Sequence, residues 1–282
     1  MSLIKIITII FSITSFTCSV SSEPVFRDKF HFEINGKYDF INVGAVNDSN
    51  QINAKSVPAG LIRLLKAYPD FLDSADENSL YWKDGTVMIY DDGIQGKSHD
   101  EMLDDPDIED MMSQEYEKGS GWSSPPEENF EPGRIRYEPF FKKMYGSDAA
   151  DVSRNIVSIE WADGSVIQFS SINGAADSLA KAAEELSRLP AEFQKYLKNI
   201  GGTFVWRNIA GTDRLSNHSF GTAIDINTKY SDYWQWNRNM TYSNRIPFEI
   251  VEVFEKYGFI WGGKWYHYDT MHFEFRPELL QN

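Results

Sequence analysis

The sequence predicts an α+β fold, built from short antiparallel hairpins and separate helices. Two patterns carry this. Strand-like segments flank tight turns at Lys83-Asp84-Gly85 and Asp163-Gly164. Apolar residues also recur at helical spacing, most clearly over residues 60–68 and 175–199. The 282 residues are 41% hydrophobic and 15% aromatic, enough for a substantial core.

In chain order, residues 23–60 read as short strands and turns. A helix is expected over 60–68, and a hairpin joins Tyr81-Trp82 to residues 86–90. Residues 91–130 hold 13 Asp or Glu against Lys97 and Lys118, which reads as a solvated surface of loops and short helices. The regular calcium-loop pattern is absent there. A Pro-Gly turn at Pro132-Gly133 then carries Arg134 and Arg136. These can bind a carboxylate or, more ordinarily, pair with the acidic stretch. Residues 155–171 alternate as a hairpin. The helical run over 175–199 is broken by Pro190 and ended by Gly201-Gly202. Residues 203–206 read as a strand. Pro247 opens a helix that Gly258 stops. Strands are expected over 259–261 and 271–275, separated by an aromatic segment.

A net charge of −15 leaves no basic stripe to neutralise phosphates, which argues against nucleic acid as a partner. Any anionic polymer would have to be held by local contacts. Lys5, an apolar run over residues 6–16 and small residues at 19–22 are expected to form a signal peptide cleaved near Ser22, placing the protein in the periplasm or outside the cell. No second apolar run is long enough to span a membrane. Cys18, the single cysteine, falls inside this leader, so the mature chain would have no thiol chemistry. A weaker alternative is lipid attachment at Cys18, because Ser15-Phe16-Thr17 is a poor lipobox.

All five histidines follow the leader. Taken singly, each reads as a structural or surface residue. Two segments together point further: Ser216-Asn217-His218-Ser219-Phe220-Gly221-Thr222-Ala223-Ile224-Asp225 and Asp269-Thr270-Met271-His272-Phe273-Glu274. Zinc accepts imidazole nitrogen and carboxylate oxygen, and a catalytic site keeps one position for water. His218, Asp225 and His272 supply such a set. Gly221 and the small Ala223 let the chain fold back so that His218 and Asp225 meet. A carboxylate must also move the proton of the attacking water, and Asp269 is the candidate. Residues three apart on a flat strand face opposite ways, so the Asp269 end is expected to turn or bulge. Arg207 is a candidate to stabilise an oxyanion.

Ser-x-His-x-x-Gly-x-Ala-x-Asp followed by Asp-x-x-His-Phe-Glu resembles the VanY-like D-alanyl-D-alanine carboxypeptidases. These belong to a wider group of zinc peptidases that includes L-alanyl-D-glutamate endopeptidases. The resemblance implies zinc at His218, Asp225 and His272, and Asp269 as catalytic acid/base where some relatives have Glu. It implies a transition-state role for Arg207. It also implies a compact antiparallel-sheet zinc peptidase core over residues 173–282. A mixed α/β extension of residues 23–172 would precede it. The substrates implied are peptidoglycan stem peptides. His267 departs from the simplest pattern. It either faces the cleft and tunes Asp269, or packs among Trp265, Tyr266 and Tyr268. Those aromatics, with Trp234 and Trp236, are candidate groove walls. Ser216 is expected at the substrate side, holding the His218 loop rather than acting as nucleophile.

Three alternatives stand beside D-Ala-D-Ala carboxypeptidase action. One is an L-Ala-D-Glu-type endopeptidase, and another is a catalytically silent zinc-dependent wall-binding module. The intact Asp269 argues against the latter. The third is a non-haem iron oxygenase, whose His and carboxylate usually stand two apart rather than seven. A carboxypeptidase needs a cation for the terminal carboxylate, for which Arg134, Arg136 and Arg214 are the candidates.

Overall fold

The computed structural model describes residues 57–122, 124–237 and 239–281, together with four two-residue strands near the N-terminus. The chain divides into two units, Met1–Asn53 and Ala54–Asn282. In the first, β1 (Ile10–Phe11) pairs with β2 (Thr14–Ser15), and β3 (Glu33–Ile34) with β4 (Lys37–Tyr38), both antiparallel. The expected leader, Cys18 and His31 otherwise lie outside the described residues.

The second unit is α+β, with helices around small antiparallel sheets. Helix α1 (Ala59–Ala67) buries Leu61 and Leu64. A three-stranded sheet follows, of β5 (Leu72–Ala75), β6 (Ser79–Trp82) and β7 (Val87–Ile89), with the expected hairpin at its β6–β7 turn. The acidic stretch forms two short helices, α2 (His99–Asp104) and α3 (Ile108–Met112). Ser98 with Glu101, and Asp107 with Asp110, cap their N-termini by reciprocal hydrogen bonds. Lys97 bridges Asp92 at 2.9 Å and Asp110 at 2.7 Å, so part of the negative charge is neutralised locally. Helices α4 (Glu138–Tyr145) and α5 (Ala149–Ser153) lead to the hairpin β8 (Ile156–Glu160) and β9 (Val166–Ser170).

Helix α6 (Ala175–Ser187) buries Ala175, Ala176, Leu179, Ala182, Ala183 and Leu186, one continuous stripe at helical spacing. The break near Pro190 leaves only a single turn, α7 (Gln194–Leu197), of the second helical piece. Residues 203–206 do not form the expected strand. They run as irregular chain flanked by isolated bridges, Gly202 with Asp225 and Asn208 with Leu215. The reason lies in what these groups bind: the Val205 N–H bonds the His218 carbonyl at 3.2 Å, and the Thr203 carbonyl is taken by a side chain.

The central sheet has the order β10 (Ala223–Asp225), β12 (His272–Phe275), β11 (Phe259–Trp261), all antiparallel. Period two sorts its faces. Ile224, Phe273, Phe275, Phe259 and Trp261 enter one core cluster together with α6 and α8 (Phe248–Lys256). Phe273 stacks on Phe254 of α8 with ring centroids 3.9 Å apart. Burying an aromatic of this kind contributes roughly 1.5–3 kcal/mol. The alternate positions Asp225, His272 and Glu274 stand on the other face. A one-residue slip would exchange the two sets, so the buried phenylalanines fix the polar face as well.

A second core cluster joins Leu61, Leu64, Tyr68, Phe140 and Phe141 to Leu215, Phe220, Ile260, Trp265 and Leu279. It therefore draws on residues from both sides of position 172. Buried polar ties add to it. Tyr68 donates to Glu278 at 2.6 Å, and Tyr116 donates to Glu255 at 2.6 Å. Lys264, 2% exposed, bonds Glu255 at 2.6 Å and the carbonyls of Glu117 and Gly119. Among the described residues no helix is long and apolar enough to cross a membrane.

Candidate active site

His218 sits in a short 3-10 helix, Asn217–Phe220. Ser216 caps it by accepting the His218 N–H, so Ser216 does hold this loop. Gly221 ends it in the left-handed region at φ 66°. A Cβ there would lie 2.4 Å from Ile156 Cδ1 and 3.3 Å from the Ser170 nitrogen, so glycine is favoured both by the backbone and by the close approach. The reversal carries the chain into β10 and brings Asp225 back beside His218. Asp225 is the direct cross-strand partner of His272. The Asp269 end turns, as the spacing requires: the His272 N–H bonds the Asp269 carbonyl at 3.2 Å, and β12 begins only at His272.

Three donor atoms converge as a result. Asp225 Oδ1 is 3.2 Å from His218 Nε2 and 2.8 Å from His272 Nδ1, and the two nitrogens are 3.3 Å apart. Both rings are fixed from behind. His218 Nδ1–H donates to the Thr203 carbonyl at 2.5 Å, which can only accept. His272 Nε2–H donates to Glu274 Oε1 at 2.9 Å. In the neutral rings the inward nitrogens are therefore bare lone pairs facing a carboxylate. This donor set fits a divalent zinc-like ion, and the outer hydrogen bonds are those expected behind metal-binding histidines. Without an ion, burial works against a charge on His272, but hydrogen bonds to Asp225 and Glu274 outweigh it and raise the ring to about 10. Burial pushes the Asp225 carboxyl up, yet His218 and His272 hold it well below the usual range. Burial likewise opposes ionisation of Glu274, but Arg136 and His272 bring it down to about 2.

The cleft around these atoms is open to solvent, spans about 860 Å³ including its solvent-filled mouth, and is lined by Asp269, Arg207, Arg134, Arg136, Ser216 and Trp265 among others. Asp269 Oδ1 is buried and has no hydrogen-bond partner among the described residues. Burial raises this carboxyl to about 6, with His272 and Arg134 pulling it down and Asp225 pushing it up. Trp265 packs beside the His272 ring, with centroids 5.6 Å apart. Exposed Trp236 lines the rim, whereas Trp234, Tyr266 and Tyr268 do not line the cleft.

The structure does not bring His267 into the cleft. Its Nδ1 and backbone N–H both engage buried Glu131, at 2.7 and 2.8 Å, and its ring packs against Trp234. Glu131 also binds His99 at 3.1 Å. The arginines separate as well. Arg136 pairs with Glu274 at 3.2 Å rather than with the acidic stretch. Arg134 lies over Trp265 and donates to the His267 carbonyl at 3.0 Å, with Glu131 at 3.7 Å. Arg214 faces Asp104 at 3.5 Å and lines an adjoining cavity instead. Glu274 has no role that the sequence motif alone assigns. The signal was its spacing of two from His272, which puts both on one strand face.

No curated protein and no solved structure matches the chain. Residues 210–275 match the model of a family described as D-alanyl-D-alanine carboxypeptidase, and the matched segment holds His218, Asp225, Asp269 and His272 together.

Proposed function

We propose that the protein is an exported zinc peptidase of bacterial cell-wall stem peptides, acting chiefly as a D-Ala-D-Ala carboxypeptidase. The observation that carries this is the buried, unpartnered Oδ1 of Asp269 in the same cleft as three converging donor atoms. A structural histidine cluster has no use for such a carboxylate, and burying it unpaired costs stability.

His218, Asp225 and His272 would hold the metal. When bound, zinc supplies the Lewis acidity that polarises the scissile carbonyl and makes water a usable nucleophile near neutral pH. Asp269 takes the proton of the attacking water and delivers it to the departing amine. A carboxyl near 6 suits both halves of that task. Arg207, exposed on the cleft wall, stabilises the negative charge that develops on the carbonyl oxygen. Arg134 receives the substrate's terminal carboxylate. It lines the cleft, whereas Arg136 is committed to Glu274 and Arg214 lies in the adjoining cavity. Ser216 and Trp265 shape the floor, and the apolar segment over residues 6–16 supports export.

Digestion of defined stem peptides, read by mass spectrometry, tests the proposal. Release of the terminal D-Ala is expected. Cleavage between L-Ala and D-Glu would instead make the protein an endopeptidase. Intact peptides after incubation with zinc-loaded protein would leave only a binding role.

A further inference from the structure

We propose that Arg136, which lies outside the segment matched by the peptidase family, is a positioning residue of the metal centre: its guanidinium holds Glu274, and Glu274 holds the ring of His272. The contacts form one chain. His272 Nε2 donates to Glu274 Oε1 at 2.9 Å, and Arg136 Nη1 reaches the same oxygen at 3.2 Å. The other carboxylate oxygen accepts from Asn217 and lies 3.5 Å from Arg276 Nη1. All four partners of Glu274 sit at its buried carboxylate. Arg136 is the one that shares the histidine's acceptor atom, so it sets where that atom stands.

The turn that delivers Arg136 is fastened without it. Arg276 donates to the Gly133 carbonyl at 2.8 Å, and the Trp265 indole donates to the Pro132 carbonyl at 2.8 Å. Gly133, at φ 95°, lies so close to Ile260 that a Cβ would come within 2.4 Å of its Cδ1. Removing the Arg136 side chain deletes the contact at Glu274 and two long hydrogen bonds, to the Gly133 and Leu215 carbonyls at 3.5 Å each, while these shorter ties of the turn remain. With Arg136 gone, the Glu274 carboxylate is free to swing towards Arg276, and the His272 ring loses its fixed acceptor. An acceptor behind a metal-binding histidine typically changes affinity about 10- to 100-fold. The residues before position 173 would thus supply part of the centre.

This inference rests on the reading of His272 as a metal ligand. The test is the zinc affinity of the full chain, measured by competition with a chelating fluorophore well below the unfolding temperature. Arg136→Ala and Arg136→Gln should bind zinc about 10- to 100-fold more weakly. Arg136→Lys, which keeps the charge but loses the planar fork, should fall between them and wild type. In a Glu274→Gln background, Arg136→Ala should add little further loss. A folded Ala or Gln variant with wild-type affinity and only a lowered melting temperature would overturn the role. So would full additivity with Glu274→Gln. Should the Ala variant not fold, the Gln variant decides. Failure of the wild type itself to bind zinc would sink the metal reading, which is a different result from an unchanged Arg136 variant.

Discussion

Asp225 and His272 stand directly opposite each other on neighbouring antiparallel strands, with Asp225 Oδ1 2.8 Å from His272 Nδ1. The pairing is set by sheet register, and Phe273 between the polar positions locks that register by stacking on Phe254. The site is therefore preorganised by the core beneath it.

Zinc uptake should release a proton. In the metal-free protein, His272 is raised to about 10 and so carries a proton at neutral pH. The ligand must be neutral to bind, so that proton has to leave. Affinity should rise with pH, by about tenfold per unit below pH ~10, and fall as pH falls. Zinc titrations across several pH values check this, and a flat profile would contradict it.

Asp269 should make the metal-free protein less stable near neutral pH. Its carboxyl is raised from 3.8 to about 6, so ionisation disfavours the folded state. The associated stability is present below 3.8 and is lost as pH rises through about 6. A shift of this size corresponds to about 3 kcal/mol at most. Asp269→Asn should therefore raise stability in urea titrations at pH ~8, with little gain at pH ~4. Equal gains at both pH values would contradict the assignment.

Gly221→Ala should cost about 2 kcal/mol or more, from the left-handed backbone and the close approach to Ile156. It should also weaken zinc binding, because the same turn places His218. Denaturation and zinc titration on one preparation would read both effects. An unchanged pair of values would mean that the turn tolerates a side chain.

Lys264→Met should destabilise by about 3–5 kcal/mol, since it leaves Glu255 buried without its cation. Adding Glu255→Gln should recover part of the loss. Thermal melts of the single and double variants provide the comparison, and simple additivity would argue against a coupled pair.

Much of the site was legible because its parts are local. Gly221 and Ala223 announce the reversal between His218 and Asp225, and the three-residue spacing of Asp269 and His272 demands the turn that is found. What was not legible depends on distant partners. His267 is captured by Glu131 across 136 positions, and Arg136 reaches Glu274 across 138. No local pattern predicts either. Residues 203–206 have strand-like composition, but one of their carbonyls orients His218, so the ladder is never completed. The α+β class could be read from the hairpins and from the stripe on α6. The way residues on both sides of position 172 share a core could not.

The most direct test combines zinc content and turnover on a stem peptide ending in D-Ala-D-Ala, for wild type and Asp269→Ala. The account predicts about one zinc in each, with D-Ala release by the variant slower than by wild type by about 10²- to 10⁴-fold. Full activity in the zinc-loaded variant, or wild-type turnover that survives removal of the metal, would contradict it.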